Sequence, residues 1–302
     1  MNEVASRIMI RYWEKIYAKS ENIKAYALLF PALLLVILAM ASPMLLTFVT
    51  SFHTQVSMME IDTTLTLGRY KDFFSKPVYT TLLGRSIKIS FFVTLVTLIT
   101  TYPLAYYIAF YVKKNKMLWI VLMTLPFWTS YLLRVFSWKV ILGHKGVVNS
   151  ALMALGMIEE PLSFLIYSQT AVVLTLAHAW AAFAILPLYV SLDKIDKSLL
   201  EASYDLGNSK FQTFWRVTFP LSLPGVIGAI LIIFIPTVGD YVTPQLVGGT
   251  DGRMLSNMIQ ALFGRANNFP LGAASAVIML FSVSLVALIV TYVTRKVSMR
   301  MS

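Results

Sequence analysis

Six predominantly apolar runs, near 25–51, 86–112, 117–142, 166–190, 221–245 and 271–294, are each long enough to cross a bilayer. At 1.5 Å per helical residue, about 20 residues span roughly 30 Å of hydrocarbon. Backbone exposed to lipid must satisfy its own hydrogen bonds, so such a chain folds as a bundle of membrane helices. The fold class expected is therefore all-α, a polytopic membrane protein with about six transmembrane helices. Composition agrees: 58% of the residues are hydrophobic, only 13% are charged, and the mean hydropathy is +0.72. Soluble domains run near 45–50% apolar and about 25% charged.

A net charge of +11 raises the question of nucleic acid, but the basic residues sit in short clusters beside the apolar runs and not in one soluble module. That is the distribution of topology signals. Placing the N-terminus inside gathers Arg7, Arg11, Lys15, Lys19, Lys24, Lys113, Lys114, Lys116, Lys194, Lys197, Lys210, Arg216, Arg295, Lys296 and Arg300 on the cytoplasmic side, fifteen of the twenty-five Lys and Arg. Both termini are thus expected in the cytoplasm. Residues 1–24 are expected as a basic cytoplasmic segment; apolar and basic positions alternate in it, which suits either an amphipathic helix lying on the inner leaflet or an ordinary basic anchor without further role. Ala39-Met40-Ala41 fits a small-residue cleavage pattern, yet the apolar run continues past it to Phe52, so an uncleaved first span is expected. With no cysteine, disulfides, thiolate catalysis and thiolate metal sites are excluded. His53, His144 and His178 lack ligand spacing, no G-x4-G-K-[S/T] sequence occurs, and no bound metal or cofactor is expected.

The fourth and fifth spans are joined by residues 191–220, where Glu201-Ala202-Ser203 is followed after three residues by Gly207 and then by Val217, Phe219 and Pro220. Asp196 is placed to cap a short helix, Glu201 favours its early turns, and Gly207 is placed to end it with a positive φ. Small side chains at Ala202 and Ser203 would let this helix approach another protein closely. Pro220 is tolerated where a new helix begins.

This segment resembles the EAA loop of ABC importer permeases, E-A-A-x3-G-x9-I-x-L-P, with Ser203, Val217 and Phe219 as conservative departures. Further segments are similar to the polyamine branch of that family, most like the first permease subunit of spermidine/putrescine importers. They are Tyr102-Pro103-Leu104-Ala105-Tyr106, Leu125-Pro126-Phe127-Trp128-Thr129-Ser130 through Arg134, Leu186-Pro187-Leu188-Tyr189, and Phe234 through Pro244 with Leu246-Val247-Gly248-Gly249. The resemblance covers roughly residues 24–295 and implies the type I ABC importer permease fold, with residues 25–302 forming the transmembrane domain. It implies a non-catalytic subunit of the bacterial inner membrane. A second, different permease, a cytoplasmic ATPase dimer carrying ATP and Mg, and an extracytoplasmic solute-binding protein complete the machine. Glu201, Ala202, Ser203, Gly207, Val217, Phe219 and Pro220 would couple to the ATPase. The solute implied is a polyamine or related small organic cation, with another solute of the same importer class as the alternative.

Charged groups inside spans are costly and mark function. Arg134 and Asp240 lie at similar depth, roughly 26–29 Å from the inner face if both spans are continuous helices. They are thus expected either as an ion pair or apart, with Asp240 meeting solute or capping a helix and Arg134 reaching the outer headgroups. On one helix Phe127, Tyr131, Arg134 and Trp138 would share a face and offer an aromatic wall to a cation. Trp128 and Tyr241 are further candidates for the solute path. An ion-coupled secondary carrier would need intramembrane groups to hold its ion, and only Asp240 qualifies.

Overall fold

The computed structural model describes residues 26, 28–57 and 60–301. The basic segment 1–24 lies outside the described residues. The first span is the helix α1 (Leu28–Thr50). It is continuous through Ala39-Met40-Ala41, and none of its apolar window is buried within this chain, which leaves its surface to lipid or to another protein.

One departure from an all-helical chain follows it, a short antiparallel hairpin of β1 (Thr54–Ser57) and β2 (Glu60–Asp62). The helix α2 (Gly68–Ser75) leads into α3 (Pro77–Phe110), which begins well before the expected residue 86. Pro77 stands in the first turn, where its missing N–H has no intrahelical partner to lose. The helix runs on through Pro103.

The third span is not one helix. It divides into α4 (Lys116–Thr124), a 3-10 turn at Leu125–Trp128 and α5 (Tyr131–Leu142), and the axis bends by 85° between Lys116–Trp128 and Tyr131–Ala154. The reason is local. Pro126 has no N–H to continue the ladder, the Thr129 hydroxyl donates to the Pro126 carbonyl at 2.7 Å, and Thr129 is extended while Ser130 is also non-helical. After α6 (Val147–Ala154) the chain enters α7 (Gln169–Asp193), capped by the Ser168 hydroxyl.

The 191–220 connection holds α8 (Lys197–Asp205) and α9 (Lys210–Thr213). From α9 the chain continues without a break, through a π-helical stretch at Phe214–Thr218, into α10 (Phe219–Gly239). Beyond it lie α11 (Val242–Val247), α12 (Leu255–Gly264) and α13 (Phe269–Met301). Among the described residues five helices are long and apolar enough to cross a membrane, and six spans result if the bent pair is one.

The centre of the bundle is α3, α7 and α10, packed mutually. One stripe of α3 is small and polar, with Ser86, Ser90, Thr94, Thr97 and Thr101 all buried. In lipid, helices associate through close packing and not through hydrophobic expulsion, and small residues permit it. Gly225 does the same for α10 against α7: a Cβ there would collide with Ser191 and the Pro187 carbonyl, and its N–H donates to Ser191 Oγ at 3.2 Å.

The bundle has two distinguishable ends. At one, Lys116 reaches both Asp193 Oδ1, at 2.6 Å, and the Ala109 carbonyl, joining the ends of α3, α4 and α7 beside α8. At the other, Arg85 donates to the Thr250 carbonyl at 3.0 Å.

Candidate functional site

Two regions stand out: the helix α8 at one end of the bundle and an open aromatic cavity between α7 and the broken third span. Helix α8 is closed at both ends as its residues dictate. Asp196 Oδ1 accepts the Ser198 N–H at 3.0 Å, which holds the Asp196 carboxyl below the usual carboxylate range. At the other end Gly207 has φ +83, its N–H donates to the Tyr204 carbonyl, and the Asn208 N–H donates to that of Ser203. That pair of bonds is a Schellman stop, which requires the left-handed conformation glycine adopts freely.

The expected surface roles divide. Glu201, Ala202 and Gly207 are exposed, and a Cβ added at Gly207 would meet nothing within this chain. Ser203 instead is buried, its hydroxyl 3.0 Å from Thr213 Oγ1 and 3.3 Å from Asn208 Nδ2. It clasps α8 to α9 and is unavailable for docking. Serine in place of the pattern's alanine is thus matched by Thr213. The exposed apolar surface comes from Leu206 (83% exposed), Phe211 (72%), Leu199, Tyr204 and Trp215.

The end of the motif has a different setting from that expected. Phe219 and Pro220 do not start a helix; they continue one. The Phe219 N–H reaches back five residues to the Phe214 carbonyl, and the π-helical turn absorbs the proline. Phe219 and Phe214 pack on Tyr102 of α3, with Trp215 against Phe219, and Tyr102 Oη lies 2.8 Å from Ser222 Oγ. Val217 is half-buried in the same stretch. The stretch that follows α9 is thereby packed against α3 and continuous with α10.

The cavity, of about 330 Å³, is lined by Phe127, Thr129, Tyr131, Arg134, Ala179, Trp180 and Phe183. Of the residues expected along the path or in the aromatic wall, Phe127, Tyr131 and Arg134 line it. The Arg134 guanidinium lies over the Phe127 ring, 5.1 Å from its centroid, and over that of Tyr131 at 5.9 Å. These residues meet although the break at Thr129 and Ser130 denies them one helical face. Nη1 of Arg134 approaches the Ala179 carbonyl at 3.4 Å. Ala179 is fourteen residues from the end of α7 at Asp193, so Arg134 sits about 21 Å along that helix. Its guanidinium is turned toward α7 and the Phe127 ring.

The Arg134–Asp240 ion pair is corrected by the structure: among the described residues the ion pairs are Arg69–Asp72 and Lys116–Asp193. Asp240 Oδ2 accepts the Tyr131 hydroxyl at 2.5 Å, and Oδ1 accepts the Val242 and Thr243 N–H groups, capping α11. Its carbonyl accepts from Ser256. Asp240 thus ties α5, α10, α11 and α12 together, with Tyr131 standing between it and Arg134. Trp138 donates to His178 Nδ1 at 3.1 Å. Trp128, 82% exposed, and Tyr241, at the start of α11, lie outside the cavity lining. Trp180, Phe183 and Thr243 escaped sequence reading. The spacing of Trp180 and Phe183 on one face of α7 was the available signal, masked because α7 is apolar all round.

A helical bundle with five or six candidate spans, a capped, detached helix at one end and an open aromatic cavity beside the broken third span defines a polytopic membrane protein. The chain belongs to the family of binding-protein-dependent transport system inner membrane components, whose family model matches residues 89–301. It is 33% identical to the spermidine/putrescine transport system permease protein PotB of Salmonella typhimurium (strain SL1344), over 86% of this chain and 90% of the relative. To the protein of the same name from Escherichia coli (strain K12) it is 34% identical, over 82% and 89%. In fold it matches a chain of a bacterial ABC transporter involved in the import of the acidic polysaccharide alginate, with TM-score 0.70 and 16% identity over 95% of this chain and 99% of that one. The fold is that of an ABC importer permease.

Proposed function

We propose that this chain is one of two unlike permease subunits of an ATP-driven importer that carries polyamines, or a related small organic cation, into the cell. Its relatives' names supply the solute class. The observation that carries the mechanism is α8. A helix capped at both ends and standing off the bundle with Leu199, Tyr204 and, at its C-cap, Leu206 exposed is built as a knob for a cleft on another protein.

In this reading α8 lies in the cytoplasm, both termini are cytoplasmic, and an ATPase dimer grips the knob. Closure of the ATPases on ATP moves α8. The continuous α9, π-helical turn and α10, wedged by Phe219 against Tyr102, pass that motion on as rigid-body rocking of the bundle. Solute delivered by the binding protein crosses between the two permeases. Asp240 favours this over an ion-coupled carrier, since its carboxylate is engaged by Tyr131 and the α11 backbone and is poorly placed to hold a coupling ion.

The test is Leu206→Glu in cells expressing the whole transport system. It should leave membrane insertion intact while abolishing co-purification of the ATPase and uptake of labelled spermidine. Full ATPase association would overturn the coupling role. Coupled transport that ignores spermidine would overturn the solute.

A further inference from the structure

We infer that Phe127, Tyr131, Trp180 and Phe183 form an aromatic cage for an organic cation, and that Arg134 is a tethered occupant which the transported cation must displace. This rests on the reading above that the chain lines a path for a cationic solute.

The cage is built from two elements, α7 and the broken third span. Phe127 and Phe183 meet edge to face at 4.1 Å between centroids, and Trp180 lies 5.5 Å from Phe183. The Arg134 guanidinium sits on two of the ring faces. Ring faces bind ammonium and guanidinium through the same quadrupole, so a solute cation and Arg134 compete for one surface.

The hold on Arg134 is weak in a particular way. The only hydrogen bond of its guanidinium among the described residues is to the Ala179 carbonyl at 3.4 Å, at the long limit for such a bond. Its Nε, though buried, has no partner among the described residues, and none of their carboxylates approaches within ion-pair distance. A guanidinium held chiefly by ring faces on a flexible stem can leave when another cation takes those faces. The cavity exceeds the volume of a single ammonium group, and its rim at Thr129 is exposed. The indole N–H of Trp180, also buried without a partner among the described residues, is a donor, so the recognition offered here is by ring face and not by ion pairing.

The experiment titrates the assembled importer, without its binding protein, with tetramethylammonium while tryptophan fluorescence is read. The Trp180→Phe variant identifies the Trp180 signal. Removing the tethered competitor in Arg134→Gln should lower the half-saturating concentration about tenfold, a change within the range of one cation–π contact. Arg134→Lys, which keeps a cation on the tether, should stay near wild type. Equal half-saturation in wild type and Arg134→Gln, or an Arg134→Lys response like that of Arg134→Gln, would overturn the proposal.

Should Arg134→Gln fail to assemble, wild-type protein decides. Phenylglyoxal modification of Arg134, read by mass spectrometry, should accelerate under saturating tetramethylammonium. Unchanged or slower modification refutes displacement. Tightened tetramethylammonium binding in an importer that ignores polyamines would retain the cage and remove the polyamine reading. Polyamine uptake with no change in tetramethylammonium binding would do the reverse.

Discussion

Replacing Asp240 separates two accounts of the acid in the fifth span, one that pairs it with Arg134 and one that makes it a backbone and tyrosine anchor. The structure gives the carboxylate a short bond from the Tyr131 hydroxyl and two from the start of α11. A hydrogen bond to a charged group contributes about 1.5–3 kcal/mol, and a helix cap about 1 kcal/mol. The Thr243 N–H, at 3.4 Å, adds little. Asp240→Ala should therefore cost about 3–4 kcal/mol, enough to reduce the yield of intact complex sharply. Asp240→Asn keeps an oxygen for the Val242 N–H and an amide that the Tyr131 oxygen can accept from, so it should cost only about 1 kcal/mol. Tyr131→Phe, which removes the same charge-assisted bond, should cost about 1.5–3 kcal/mol.

The decisive quantity is the coupling, measured by unfolding the purified complex in increasing SDS and following tryptophan fluorescence. Asp240→Ala and Tyr131→Phe should couple by about 1.5 kcal/mol or more, because they delete two ends of one bond. Asp240→Asn and Arg134→Gln should add within about 0.5 kcal/mol. If Arg134→Gln restored the stability lost in Asp240→Asn, the two groups would be counter-ions and the anchor account would be wrong.

Three further outcomes are expected. At Gly207, where φ is +83 and a Cβ would meet nothing, Gly207→Asn should retain ATPase association, while Gly207→Val, forced into the left-handed region at about 1–2 kcal/mol, should fray α8 and weaken it; equal loss in both would indicate steric docking on the partner instead. Gly225→Val should prevent stable assembly, since the added carbons enter Ser191 and the Pro187 backbone, and a normal yield would mean that α7 and α10 separate. In this cysteine-free chain, a cysteine at Lys210 should react only with reagents reaching the cytoplasm and one at Lys145 only with reagents outside, whereas labelling of both from one side would contradict the topology.

Much of this architecture is legible in the residues, for different reasons at different places. Long apolar runs declare spans because the bilayer allows few alternatives. The α8 caps follow from Asp196 and Gly207, whose chemistry is local. The early start of α3 was announced by Pro77, but Arg85 and Lys88 lower the hydropathy there and hide it from an apolar count. The break in the third span turns on Pro126, which membrane helices often tolerate, so neighbouring contacts decide whether it bends the chain. Ser203 reads as a docking residue because its partner Thr213 is ten positions away on a separate short helix. The cavity was half visible. Tyr131 and Arg134 stand out as polar groups in a span, whereas Trp180 and Phe183 do not, because a helix buried on several sides has no apolar stripe to point with.

The central claim is ATP-driven inward transport of a polyamine through this chain and its partners. The direct measurement is labelled spermidine accumulation in proteoliposomes holding both permeases and the ATPase, with loaded binding protein outside, ATP and Mg inside, and all ion gradients collapsed. Accumulation that requires ATP, persists without an ion gradient and disappears with Leu206→Glu is the predicted result. Accumulation that needs a proton or sodium gradient, or that proceeds without ATP, would contradict it.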